Sequence, residues 1–133
     1  MKISFDFDGT LEYPDVQEVA KELIDKGYEV CILTTRYSDP NNYTWFENKD
    51  ELAKMHNKLF AIAKTLGITE INFTEYKWKT TVVDKLGINI HIDDNYREEV
   101  IVINVNNMAR AVYYTKGWKD VLYKAIERFE TQD

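Results

Sequence analysis

The sequence predicts an α/β fold: one three-layer domain over residues 1–133, with a mostly parallel central sheet of about five strands. Three observations carry that expectation. Amphipathic helical stretches alternate with short extended runs, and strands that alternate with helices pair in parallel through right-handed crossovers. Gly27, Gly67 and Gly87 each fall between a helical pattern and an apolar extended run. The extended runs are nearly continuous in apolar residues, as strands are when helices cover both faces of their sheet. The length of 133 residues suits one domain. A hydrophobic content of 44%, with 14% aromatic, is enough to build a core, so disorder is excluded as the default.

Each element has its own signal. Ile3 to Phe7 opens the chain as a strand. A helix starts at Pro14, whose fixed φ and missing N–H suit the first turn. Val16, Val19, Ala20, Leu23 and Ile24 form its apolar stripe, and Gly27 ends it. Tyr28 to Leu33 reads as the second strand. Lys49 to Leu66 reads as a helix with Asp50 and Glu51 well placed in its first turn. Its expected buried face is Leu52, Met55, Leu59, Ile62, Ala63 and Leu66. Ile68 to Phe73 follows as a strand, Thr80 to Leu86 as a short helix, and Ile88 to Ile92 as the fourth strand. Val100 to Val105 reads as a fifth strand, and Ala109 to Phe129 as a helix broken near Gly117. Between Tyr37 and Asn48 lies a polar and aromatic loop.

Charge and composition narrow the function. A formal net charge of −6 and the absence of any basic run disfavour nucleic acid as a partner. The start Met1-Lys2-Ile3-Ser4-Phe5-Asp6 places a carboxylate where a signal peptide needs apolar residues, and no apolar stretch has membrane-spanning length. A lone Cys31 cannot form an internal disulfide, which fits the cytoplasm. The expectation is a cytoplasmic domain with no membrane partner.

Ligands of open α/β sheets bind beyond the carboxyl ends of the strands. Those ends carry chemistry here: Asp6-Phe7-Asp8-Gly9-Thr10 after the first strand, Thr34-Thr35-Arg36 after the second, Lys77 and Lys79 after the third, Asp93-Asp94-Asn95 after the fourth. Carboxylate pairs, hydroxyls and a lysine on one edge suit Mg²⁺ with a phosphate, because Mg²⁺ takes a few carboxylate oxygens plus phosphate and water. One of Asp6 and Asp8 could attack phosphorus while the other handles the leaving-group proton, with Gly9 allowing a phosphate to approach the backbone.

The stretch Phe5-Asp6-Phe7-Asp8-Gly9-Thr10-Leu11 resembles the first motif of the haloacid dehalogenase-like (HAD) superfamily, a DxDGT that follows a hydrophobic strand. Leu33-Thr34, Lys77 or Lys79, and Ile92-Asp93-Asp94 resemble its second, third and fourth motifs, in order. The resemblance implies an Mg²⁺-dependent phosphomonoester hydrolase acting through an aspartyl-phosphate on a small phosphorylated metabolite or nucleotide. Asp6 would be the nucleophile. Asp8 would be the acid and base, its backbone carbonyl also holding Mg²⁺. Thr34 would bond a phosphoryl oxygen, and Lys79 would offset charge. Asp6, Asp8, Asp93 and Asp94 would form the metal site, and Gly9, Thr10, Thr35, Arg36 and Lys77 would meet the substrate. The fourth strand would lie beside the first. The chain has no room for a cap domain after the first motif or the third strand, so the site would be open or covered by a second copy in a homo-oligomer. Thr34-Thr35-Arg36 also resembles the Ser/Thr-x-Arg of polynucleotide 3′-phosphatase domains.

Several residues have more than one reading. Thr34 and Thr35 face opposite ways on a strand, so only one of them can point to a phosphate. Lys77, Lys79 and Lys85 all compete for the role of the lysine. Arg36 could grip phosphate or form an ion pair. Tyr37, Tyr43, Trp45 and Phe46 could stack on a ring or pack over the sheet edge, shaping specificity. His91, His56 and Cys31 read as core residues, and Trp118 as a helix-docking residue. A non-hydrolytic phosphate-binding or regulatory protein and a nucleic-acid end phosphatase are the rival functions.

Overall fold

Five strands, β1 (Lys2–Phe5), β2 (Glu29–Thr34), β3 (Ile71–Phe73), β4 (Ile90–Asp93) and β5 (Arg110–Tyr113), form one sheet in the order β3-β2-β1-β4-β5. This is a computed structural model, and it describes residues 1–131; residues 132 and 133 of the expected domain lie outside the described residues. Every pairing is parallel. The central β1 sets Ile3 opposite both Val30 and Ile90, and Phe5 opposite both Ile32 and Ile92. The fold class expected from the alternating pattern is therefore the observed one, with β4 beside β1.

Side-chain alternation along the strands divides the interior in two. Ile3, Phe5, Ile32, Ile90 and Ile92 pack with the helices α1 (Pro14–Asp25), α2 (Lys49–Leu66) and α4 (Trp118–Glu130) through Leu23, Leu59 and Leu122. Cys31, Leu33 and Ala111 face the other way, onto Val83, Val100 and Ile103, the last from α3 (Ile101–Asn106). Each fully buried Leu or Ile contributes about 1.5–3 kcal/mol of transfer free energy. Cys31 is core as expected, its thiol pushed up to about 12 by burial. No helix among the described residues is long and apolar enough to cross a membrane.

Helix α1 begins at Pro14 and α2 at Lys49, as expected, and they end at Asp25 and Leu66, close to Gly27 and Gly67. On α2, Met55 is exposed and Ile62 only half-buried, while His56 takes a buried position instead. His56 rests on the Tyr37 carbonyl through its Nε2, at 3.1 Å.

Four expectations are corrected. The first strand ends at Phe5, and Asp6 continues the ladder only through its N–H to the Ile92 carbonyl (2.9 Å). The third strand is confined to Ile71–Phe73, an edge paired on one side only. The expected helix from Thr80 to Leu86 is a single 3₁₀ turn at Lys79–Thr81 followed by turns. Val100 to Val105 is not a strand. A wide helical turn at Tyr96–Val100 runs into α3, buries Val100 and Ile103 at helical spacing and leaves Ile101 and Val105 exposed. The fifth strand lies instead at Arg110–Tyr113, inside the stretch read as helix, because parallel pairing with β4 requires a crossover between them.

Candidate functional site

The carboxyl edge of β1 and β4 holds a buried acidic cluster. Asp6 follows β1 directly, and Asp93 is the last residue of β4. Between Phe7 and Leu11 the chain coils into one wide turn, closed by the Leu11 N–H on the Asp6 carbonyl (3.0 Å). Gly9 has φ +75° there, and a Cβ at this position would collide with the Asp94 carboxylate. This is the one glycine whose lack of a side chain shapes the site.

Lys79 is the lysine of the site. It is 1% exposed and donates to Asp6 Oδ1 at 2.8 Å and Asp93 Oδ2 at 2.5 Å. Lys77 and Lys85 are exposed and lie outside the cluster, and neither lines the pocket over it. Burial pulls the Lys79 ammonium down, but Asp6 and Asp93 outweigh it and hold it above its ordinary value. Burial raises Asp6 well above the usual carboxylate range, against the opposing pull of Lys79. For Asp93 burial acts the same way but loses: the hydrogen bond from His91 and the charge of Lys79 hold it below that range.

His91 is fully buried and bridges two strands. Its Nδ1 meets Ser4 Oγ at 2.7 Å and its Nε2 meets Asp93 Oδ2 at 2.7 Å. Burial lowers its pKa, so the ring is neutral, accepting from the serine and donating to the aspartate. A core histidine it is, yet it fixes the orientation of Asp93. Thr10, also buried, donates from Oγ1 to Asp6 Oδ2 (3.3 Å) and to Asp94 Oδ1 (3.4 Å). It holds the carboxylates rather than facing the open pocket.

Glu99 was not singled out by sequence. It is 4% exposed, accepts the Lys79 N–H at Oε1 (3.3 Å), and leaves Oε2 without a hydrogen-bond partner, 3.8 Å from Lys79 Nζ. Burial pushes its carboxyl up to about 7, against the pull of Lys79. Its only sequence signal is an acid six residues after Asp93, which neighbouring Glu98 shares equally.

Three residues expected at the site, Asp8, Thr34 and Gly9, make contacts within the protein. The Asp8 carboxylate lines the same pocket but is paired: Arg36 grips it with Nε at 2.8 Å and Nη2 at 2.6 Å. Arg36 is buried, adds a bond from Nη1 to the Met55 carbonyl (3.0 Å), and lies over the Phe7 ring. Thr34 is 1% exposed, and its Oγ1 accepts the Arg36 N–H at 3.3 Å. Thr35 lines the pocket in its place. The strand stays regular through Thr34, so the next residue is the first free to turn outward. The Gly9 N–H, expected to meet substrate, donates to Glu12 Oε2 at 2.6 Å.

The pocket over this cluster is about 400 Å³, lined by Asp6, Asp8, Thr35, Lys79, Asp93 and Asp94, with Asn95 and Glu99 completing it. A larger cavity of about 460 Å³ lies between β5 and α4 and has no carboxylate in its lining. Asp6, Asp93 and Asp94 bring one oxygen each within 4.8 Å of one another, a set that could hold a metal ion. The donors are all hard oxygens. With Glu99 they make four carboxylates around one lysine, since Arg36 is already taken by Asp8. Burial raises Asp6 and Glu99, so without a cation the cluster relieves its like charges by holding protons, which a bound cation would displace.

No protein-family model matches the chain, and none of the curated proteins searched matches it. Among solved structures, a hypothetical protein from Xanthomonas campestris is similar at a TM-score of 0.49 and 14% identity, covering 91% of this chain and 68% of the other. An N,N′-diacetylchitobiose deacetylase from Pyrococcus horikoshii is similar at a TM-score of 0.47 and 12% identity, covering 95% of this chain and 67% of the other. Nothing about the chemistry of this chain rests on either likeness.

Proposed function

We propose that the protein is a phosphomonoester hydrolase of the haloacid dehalogenase-like type, with Asp6 as nucleophile and Mg²⁺ as cofactor. The observation that carries this reading is the convergence of Asp6, Lys79, Asp93 and Asp94 at the carboxyl edge of a parallel sheet. The order of the motif-like segments supports it. Asp6, Asp93 and Asp94 would hold the ion, which fits their hard oxygen donors. When bound, it would supply positive charge to the phosphoryl oxygens.

In this mechanism an Asp6 oxygen attacks phosphorus, the bond from phosphorus to the ester oxygen breaks, and the departing oxygen takes a proton from Asp8. Water then attacks the same phosphorus and gives its proton to Asp8, which releases phosphate and restores Asp6. Lys79 and Thr10 hold the two oxygens of Asp6 in place, so the nucleophile is oriented before substrate arrives. His91 holds Asp93 from behind. Thr35, which lines the pocket, would take the phosphoryl-oxygen contact expected of Thr34. Asp8 is turned to Arg36, so serving as the acid requires it to rotate off the guanidinium.

That last contact favours a second reading, a phosphate-binding or regulatory protein without turnover, because a carboxylate in a bidentate pair is an acceptor only. One assay separates the two: hydrolysis of p-nitrophenyl phosphate and a nucleotide panel with and without Mg²⁺. The wild type turns over only with Mg²⁺, and Asp6→Asn loses roughly 10³-fold or more. Equal activity in the two proteins removes Asp6 as nucleophile. No turnover with Mg²⁺ binding retained selects the binding protein.

A further inference from the structure

Asp8 belongs to two cavities. One is the acidic pocket; the other, about 150 Å³, is walled by Asp8, Arg36, Tyr43, Trp45, His56 and Tyr76 among others. Ligand pockets for drug-sized molecules run from roughly 300 Å³ upward, so this one has room for a single ring system. Its aromatic walls are packed against one another. The Tyr43 and Trp45 centroids are 5.5 Å apart, and Trp45 and Tyr76 meet edge to face at 5.7 Å.

A small aromatic core sealing the sheet edge would hide its rings. Tyr43 does so, 5% exposed, its hydroxyl accepting the Tyr37 N–H at 3.0 Å. Trp45 and Tyr76 do not; they are 59% and 51% exposed. Tyr76 is also held at a cost. Glu75 and Tyr76 stand at φ +57° and +62°, in the left-handed region that side-chain-bearing residues avoid. The conformation is fixed by the Tyr76 N–H on the Thr35 carbonyl (2.7 Å) and by Ser38 N–H and Oγ on Glu75 Oε1 (3.1 and 2.6 Å). The chain thus accepts unfavourable backbone angles to keep an aromatic ring half in water beside the acidic pocket. Exposed, rigidly held aromatic faces are what stack on bases.

We propose that this cavity receives the nucleobase of a nucleoside monophosphate whose phosphate lies in the acidic pocket, with Trp45 and Tyr76 as the specificity-determining residues. The assignment rests on the hydrolase reading of that pocket and adds its substrate class. A nucleoside fits better than a ring borne directly on the phosphate, because Asp8, paired with Arg36, lines both cavities and stands between ring and phosphate. A polar spacer with hydroxyls, such as a ribose, suits that junction.

The test compares adenosine 5′-monophosphate, ribose 5-phosphate and phenyl phosphate on wild type, Trp45→Ala and Tyr76→Ala, both substitutions being of exposed rings. In the wild type kcat/KM is higher for the nucleotide than for ribose 5-phosphate. Each substitution lowers that ratio by roughly 5- to 100-fold, through KM rather than kcat. An unchanged ratio in both variants overturns the proposal and leaves the hydrolase reading standing. A preference of the wild type for ribose 5-phosphate does the same. Equal loss on phenyl phosphate and the nucleotide overturns the nucleoside assignment in favour of a ring on the phosphate itself. Equilibrium dialysis of adenosine 5′-monophosphate onto the same three proteins separates the two readings. Binding that weakens in both variants without any turnover supports this site and removes hydrolysis, while neither binding nor turnover removes both.

Discussion

Glu99 illustrates how one side chain can register the state of a whole pocket. Its Oε1 is occupied and its Oε2 has only the distant Lys79 ammonium. Burial raises its pKa from the ordinary 4.5 to about 7. The folded protein therefore holds this proton more tightly than the unfolded chain does. The stability it contributes is complete below about pH 4.5 and is lost as pH rises through about 7. In cation-free buffer the melting temperature of the wild type should fall from pH 5 to pH 8 relative to Glu99→Gln, whose amide cannot ionise. Parallel melting curves across that range, followed by circular dichroism, would remove Glu99 as the titrating group. Residues of the site that belong to a contiguous motif (Asp6, Asp93 and Asp94) were legible in the sequence, because strand ends place them on one edge whatever the packing. Lys79 was legible only among three lysines, and Glu99 not at all. Its role comes from the tertiary approach of the turn after β4 to residue 79, and it leaves no mark in local pattern.

Among the elements, those with both a cap and an amphipathic stripe were the readable ones. Helix α2 runs from Lys49 to Leu66 as expected, with Asn48 at its start accepting the Glu51 N–H at 3.1 Å and Gly67 at its end in the left-handed conformation. Replacing Asn48 by Ala should cost about 1 kcal/mol of unfolding free energy in urea melts, with the m-value unchanged. A loss below about 0.3 kcal/mol would mean that another group takes over the cap. The fifth strand escaped because two local signals misled in the same region. The run Ile-Val-Ile-Asn-Val from Ile101 is rich in β-branched residues, which favour strands. It nevertheless follows an Asn95 cap, whose side chain accepts the Glu98 N–H at 3.2 Å, and it buries Ile103 as a helix would. The true strand, Arg110–Tyr113, buries only its middle pair and sits at the sheet edge. Four residues with exposed ends give no alternation long enough to read against the helical pattern beyond Trp118. Gly117, read as a break, is the residue at the start of α4.

For the molecule as a whole the net charge is −6, and three of its carboxylates, Asp6, Asp93 and Asp94, meet at one sheet edge. If Asp6, Asp93 and Asp94 hold Mg²⁺, the ion binds the folded state alone and must stabilise it. At a hundredfold excess over Kd that linkage is worth about 2.7 kcal/mol, roughly a 10 °C rise in melting temperature for a domain of this size. Asp94→Asn, at an exposed carboxylate, should remove most of the rise while leaving the metal-free melting point little changed. A wild type whose melting point ignores Mg²⁺ would remove the ion from the site. The sheet order adds a consequence of another kind. Asp6 meets Lys79 across 73 positions of chain, and Ser4 meets His91 across 87. No local fragment can assemble these contacts, so the loops that connect them must be closed by the hydrophobic register of β1 against β4. The polar cluster thus depends on long-range strand pairing that local structure alone does not supply. Parting those two strands would take Asp6 away from Asp93 and Asp94, so substitutions deep in the core would be felt at the surface as the fraction of molecules that possess the pocket.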